Sequence, residues 1–100
     1  MTPTEPASPD LEFNRLATFV WERAQARENE RAHGLDIVAA AGALEDPMVL
    51  VTALGEEEGF EAIGLSRGRL LSVRYEIEEN RIRIQSAWRA IPTEEALYGR

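Results

Sequence analysis

The sequence predicts an α+β domain: a short N-terminal strand, two helices, an antiparallel meander of about four strands, and a closing C-terminal helix. Three observations predict it. Residues 22–44 are crowded with helix formers and hold a glycine stop and an aspartate start between them. Residues 48–88 are apolar or alternate apolar with polar, and short turn-like segments interrupt them. The chain has 100 residues, which is room for one core and little more.

The elements follow in order. Met1 to Asp10 holds Pro3, Pro6 and Pro9 and no apolar period, so it reads as a disordered lead to a single domain over residues 11–100. Leu11 to Leu16 fits a helical turn or an extended run. Phe19-Val20-Trp21 is aromatic and β-branched, hence a strand. Glu22 to His33 is rich in Ala, Glu, Gln and Arg, with Gly34 as its stop. Asp36 is a natural N-cap for a second helix through Leu44, ended by Glu45-Asp46-Pro47.

The meander begins with the apolar run Met48 to Leu54, followed by the turn Gly55 to Gly59. Phe60 to Leu65 is the next strand, and Ser66-Arg67-Gly68 turns the chain. Arg69 to Ile77 alternates, with Leu71, Val73, Tyr75 and Ile77 on one face. After Glu78-Glu79-Asn80, strict alternation over Arg81 to Trp88 turns Ile82, Ile84, Ser86 and Trp88 inward. Thr93 to Tyr98 forms a short helix behind Pro92. Short turns require antiparallel neighbours, which gives a two-layer domain with its helices on one face.

Composition narrows the function. There is no cysteine, which excludes disulfides, thiolate zinc sites and a thiol nucleophile. One histidine and scattered carboxylates make no metal motif, and no phosphate-binding glycine loop or catalytic triad is present, so neither metal nor cofactor is expected. No apolar stretch approaches the roughly 18 residues of a membrane span, and no signal-peptide pattern opens the chain; a cytoplasmic protein without membrane attachment is expected.

The net charge of −7 opposes nucleic-acid binding by the chain as a whole. The charge is uneven, however. Residues 1–65 hold 4 Arg against 13 Asp and Glu, and residues 66–100 hold 7 Arg against 5 Glu. All 11 basic residues are Arg, the better bidentate ligand for phosphate. Alternation places Arg74, Arg81, Arg83 and Arg89 away from the apolar face. They fit either a cationic patch or a solvated face on which Glu76 and Glu78 pair with them.

Several segments, in this order, resemble the BrnT family of ribonuclease toxins from bacterial type II toxin–antitoxin systems. They are Phe19-Val20-Trp21-Glu22, Asn29 with His33-Gly34, Glu45-Asp46-Pro47, Gly55-Glu56-Glu57 leading to Ala62-Ile63-Gly64, and Arg69-Leu70-Leu71-Ser72-Val73 with Tyr75. The last is Ile82 to Ala90, with Glu95 and Tyr98 behind it. The resemblance spans roughly residues 19–98. It implies a RelE-like ribonuclease architecture, cleavage of RNA, and a DNA-binding antitoxin partner of the BrnA type. The expected assemblies are a homodimer or a toxin–antitoxin hetero-oligomer.

Cleavage of RNA by its own 2′-hydroxyl needs a base, an acid, and cations for the charge that builds on phosphorus. His33, Arg83, Arg89 and Arg74 are the expected catalytic residues, since an imidazole exchanges protons near neutral pH and guanidinium groups clamp phosphate. His33 equally fits a helix C-terminus, where a cation is favoured. Arg69, Arg81 and Trp88 are the expected RNA-binding residues; Trp88 fits base stacking or the core, and Trp21 the core. Glu56, Glu57 and Glu58 read as a solvated loop.

The pattern departs from the family at three basic positions of the implied site: Ala32 and Trp88 replace two of them, and the third is either replaced by Gly59 or displaced by an insertion among Glu56 to Glu58. A second expectation follows: a BrnT-like binding module with weakened or lost catalysis that works through a protein partner.

Overall fold

A computed structural model describes residues 19–98. The expected disordered lead at residues 1–10 and the Leu11 to Leu16 segment lie outside the described residues. The elements are strand β1 (Phe19–Val20), helices α1 (Arg23–His33) and α2 (Ile37–Leu44), strands β2 (Leu50–Gly55), β3 (Gly59–Ser66), β4 (Arg69–Glu78) and β5 (Arg81–Arg89), and helix α3 (Pro92–Leu97). The strands form one five-stranded sheet in the order β1-β5-β4-β3-β2. The four strands from β2 to β5 are the expected antiparallel meander, and β1 adds a parallel edge beside β5.

Both tight hairpins use two residues with positive φ, the geometry that matches the twist of the strands they join. Arg67 and Gly68 connect β3 to β4, and Glu79 and Asn80 connect β4 to β5. Helix α1 stops at Gly34, whose φ of 72° lets its N–H return to the Glu30 carbonyl at 2.7 Å. Two residues later Asp36 caps α2, its Oδ1 accepting from the Ala39 amide at 2.9 Å.

Helix α2 lies against β3 more closely than ordinary side chains permit. Its buried surface is Ala39, Ala40, Ala41 and Ala43. Opposite them stand Ala62, Gly64 and Ser66, all buried and on one face of β3. A Cβ added to Gly64 would overlap the backbone of Ala43. The Ser66 hydroxyl donates to the Ala39 carbonyl at 2.7 Å, tying helix to strand across 27 residues. Around this contact the core gathers Phe19, Trp21, Leu35, Leu71, Val73, Ile84 and Ala87.

Strict alternation fails in β5. Arg74 pairs with Ser86 but Tyr75 pairs with Ile84, which leaves Gln85 as a bulge. The extra residue reverses the phase. Ile82 and Ile84 face the α1–α2 layer before it, and Ala87 does so after it. Ser86 and Trp88 therefore lie on the opposite face, contrary to the simple alternation. Arg89, opposite Leu71, falls on the helix-covered face instead of away from it.

That opposite face is partly covered by α3, so the helices are not all on one side. Polar bonds tie α3 to the sheet. Glu94 Oε1 accepts from the Ile91 amide at 2.9 Å, the Ser72 hydroxyl at 2.8 Å and the Trp88 indole at 3.3 Å. Just beyond the helix, the Tyr98 hydroxyl donates to Asp46, which also accepts from the amides of Met48 at 2.9 Å and Leu65 at 2.7 Å. These bonds hold the Asp46 carboxyl below the usual range, the Tyr98 bond most of all, and the same bond pushes the Tyr98 phenol up.

The short edge strand leaves part of β5 without a strand partner. Asn29, 5% exposed, fills the place: its Oδ1 accepts from the Ala87 amide at 2.9 Å and its Nδ2 donates to the Leu35 carbonyl at 3.3 Å. One side chain thus satisfies a sheet edge and fixes the α1–α2 connection to it.

Two outcomes follow for stability. Gly64→Ala should cost about 3 kcal/mol, since overpacking here meets backbone, and Asn29→Ala roughly 1–3 kcal/mol for a buried amide left unpaired. Urea unfolding checks both; a change under about 0.5 kcal/mol in either would contradict the packing described. The contribution of Asp46 is complete above the usual carboxylate range and lost as pH falls through its depressed value. The gap in thermal midpoint between the natural chain and Asp46→Asn should therefore shrink between pH 6 and pH values well under about 4.

Candidate functional site

The fold segregates charge along the strands. The β2–β3 and β4–β5 turns lie at one end of the sheet and the β3–β4 turn at the other. Glu56, Glu57, Glu58, Glu78 and Glu79 crowd the first end. A hollow there of about 250 Å³ is lined by Gly55, Glu56, Glu57, Gly59, Phe60, Glu76 and Ile77. It would repel a phosphate.

The opposite end carries a cleft of about 260 Å³ between the α1–α2 connection and the β3–β4 hairpin. Gly34, Leu35, Asp36 and Ala39 form one wall, and Ser66, Arg67, Arg69 and Leu71 the other. Arg89 stands opposite Leu71 in the sheet, on the face that Leu71 shares with the cleft. His33 directly precedes Gly34 at the rim. Leu35, Ala39, Ser66 and Leu71 are buried, while Arg67, Arg69 and Arg89 are exposed.

The cationic residues differ in what they touch. The side chains of Arg67, Arg69, Arg89 and His33 make no hydrogen bond or ion pair with another described residue. Arg74 and Arg83 share the opposite face of the sheet. Arg74 lies 3.7 Å from Glu61, and Arg83 bonds Glu78 at 3.0 Å. Arg74 faces Ser86, and Arg83 faces Glu76, so the two arginines are diagonal neighbours. Arg81 is exposed and opposite Glu78. Trp88 is half-buried, its indole N–H committed to Glu94. Among the described residues, no group of three or more His, Asp and Glu is placed to hold a metal ion.

Of the residues selected from sequence, then, His33, Arg69 and Arg89 come to one end, while Arg74, Arg81 and Arg83 lie elsewhere with carboxylates nearby. The expected gathering of Arg74, Arg83, Arg89 and His33 on one surface does not occur: Arg74 and Arg83 share one face, while the bulge at Gln85 turns Arg89 to the other, the face covered by the helix that ends at His33. Arg67 and Asp36 were legible only as a turn residue and a helix cap. Their shared cleft needs two turns about thirty residues apart to meet, which no local signal announces.

The architecture and cleft define a small α+β domain with a cationic notch at one end of its sheet. The model of the ribonuclease toxin BrnT of type II toxin–antitoxin systems matches residues 21–94. The chain belongs to that family. The family's role is that of a ribonuclease toxin countered by an antitoxin protein. No curated protein matches the chain. No helix among the described residues is long and apolar enough to cross a membrane.

The paired arginines allow a structural check. An exposed ion pair contributes about 0–1 kcal/mol, so Arg83→Ala should shift the unfolding free energy by less than about 1 kcal/mol. A larger loss in urea unfolding would mean that Arg83 braces the sheet.

Proposed function

We propose that the protein is a metal-independent RNA endonuclease whose reaction takes place at the cleft between the α1–α2 connection and the β3–β4 hairpin. The observation that carries it is the set of three guanidinium groups, Arg67, Arg69 and Arg89, with no carboxylate partner among the described residues and on the same end as His33. In the proposed step the 2′-oxygen of the substrate bonds to the adjacent phosphorus and the bond from phosphorus to the 5′-oxygen breaks. A base takes the 2′-proton, and an acid delivers a proton to the departing 5′-oxygen. The products are a 2′,3′-cyclic phosphate and a free 5′-hydroxyl. His33 serves one of the two proton transfers, and the arginines stabilise the charge that builds on phosphorus.

Arg74, Arg81, Arg83 and Trp88 take a different part in this reading. They lie on or beside the α3 face and serve as distant contacts to the RNA strand. The partner is a DNA-binding antitoxin of the BrnA type, and the protein works in the cytoplasm. An acidic end would draw a basic antitoxin by long-range attraction and speed association. In this reading the architecture is of the RelE-like ribonuclease type.

A second reading keeps the antitoxin and drops the chemistry: Ala32, Trp88 and either Gly59 or an insertion among Glu56 to Glu58 stand where the family pattern carries basic residues. One assay separates the two. Purified protein with a labelled single-stranded RNA in EDTA should yield cyclic-phosphate ends. Arg69→Ala or Arg89→Ala should slow cleavage about 100-fold, the usual effect of removing one charge-stabilising donor. Arg74→Ala and Arg83→Ala should stay within about threefold, under 1 kcal/mol. Loss of activity in the second pair with none in the first would move the site to the α3 face. Absence of cleavage by the natural chain would favour the binding module.

A further inference from the structure

The cleft holds more than a phosphate needs. A pure anion site would be lined with donors, yet this one contains the Asp36 carboxylate and an apolar floor of Leu35, Ala39 and Leu71. Asp36 is held in place: Oδ1 accepts from the Ala39 amide at 2.9 Å, which fixes the side chain at the start of α2. Its Oδ2 has no partner among the described residues. The Ser66 hydroxyl gives its proton to the Ala39 carbonyl, so toward the cleft it offers lone pairs only. One wall therefore presents the Asp36 carboxylate as an acceptor, and the facing wall presents guanidinium donors from Arg67 and Arg69.

The volume sets the size of the ligand. About 260 Å³ falls below the roughly 300–1,000 Å³ of sites for drug-sized molecules, and suits one planar base rather than a stack. A base can reach it only if unpaired and turned out of a helix.

We propose that the cleft is a guanine subsite for the RNA substrate, an inference that rests on the reading of the protein as an RNA-binding nuclease. Guanine has two adjacent donors, N1–H and the N2 amino group, which one carboxylate accepts together. On its other edge O6 and N7 are two adjacent acceptors, which one guanidinium fork meets together. Asp36 takes the first pair, and Arg67 or Arg69 takes the second. The remaining bases fail against Asp36. Adenine and cytosine each place a ring acceptor beside their single amino donor, and uracil sets its one N–H between two carbonyls. Each would turn a lone pair toward the carboxylate, so rejection adds to attraction. The apolar floor supports the ring; of the three arginines given to the phosphate above, the one that reads the base is withdrawn, and the other of Arg67 and Arg69 holds the neighbouring phosphate together with Arg89.

The test uses four labelled single-stranded 12-mers, identical except for one G, A, C or U in a fixed uncleaved context, together with 5′-GMP and 5′-AMP titrated by calorimetry. The G-containing strand should be cut about 10- to 100-fold faster than the others, and GMP should bind more tightly than AMP by a similar factor. Asp36→Asn keeps a good helix cap, so the fold should survive, but the ratio of G to A rates and of GMP to AMP affinity should fall toward one. Equal rates for the four strands, or a preference that persists in Asp36→Asn, would overturn the guanine subsite while leaving the nuclease intact. If no strand is cut, selective and Asp36-dependent GMP binding would support the subsite and reject the nuclease reading. Equal or undetectable nucleotide binding with no cleavage would overturn both.

Discussion

The close approach of α2 to β3 is the constraint from which the rest of the structure follows. Helices usually stand 8–10 Å from their neighbours because side chains keep them apart. Here alanines on the helix meet Ala62, Gly64 and Ser66 on the strand, and the helix backbone rests where a Cβ of Gly64 would be. Little apolar area is buried per residue by such small side chains, so the contact gains from dispersion across many close atoms and from the Ser66 bond to Ala39. Its main effect is positional. It brings the first turn of α2, with Asp36, beside the end of β3, with Ser66 and Arg67, and so creates the cleft.

Asn29 does the complementary work at the far edge. By satisfying the Ala87 amide and the Leu35 carbonyl it fixes the end of α1, and with it Gly34, relative to β5. The cleft is thus framed by two helices, each anchored to a different strand. Opposite it, α3 is held by carboxylates instead of an apolar stripe: Glu94 gathers three donors, and Asp46 receives Tyr98. None of its described residues is buried. The two faces of the sheet are accordingly held by different forces, one by packing and the other by charge-assisted hydrogen bonds.

Most of the fold was legible because its signals are local. Gly34 and Asp36 mark the break between α1 and α2, and the apolar runs and turn residues between Met48 and Trp88 mark the four-stranded meander with nearly correct ends. What was not legible is non-local. The β1 pairing with β5 spans about sixty residues, and the role of Asn29 depends on that edge being short. The bulge at Gln85 is only faintly written, as the apolar pair Ile84 and Ala87 at a spacing that strict alternation forbids. Without the bulge, strict alternation turns Trp88 inward and Arg89 outward. The site is the least legible part: the chemistry of His33 and Arg69 is local, but the grouping of the arginines depends on a phase that one extra residue reverses.

Membership of the BrnT family places a ribonuclease toxin's role on this scaffold, and the scaffold offers a cleft with free guanidinium groups and another face on which Arg74 and Arg83 are paired with carboxylates. The most direct measurement is an amide chemical-shift map of the labelled protein with a short RNA made uncleavable by 2′-O-methyl groups. RNA binding at the cleft requires the largest changes at residues 33–36, 66–71 and 87–90, where the α1–α2 connection, the β3–β4 hairpin and the end of β5 meet. Changes concentrated instead on β4 and β5 around Arg74, Glu76 and Arg83, with the cleft residues unmoved, would contradict it.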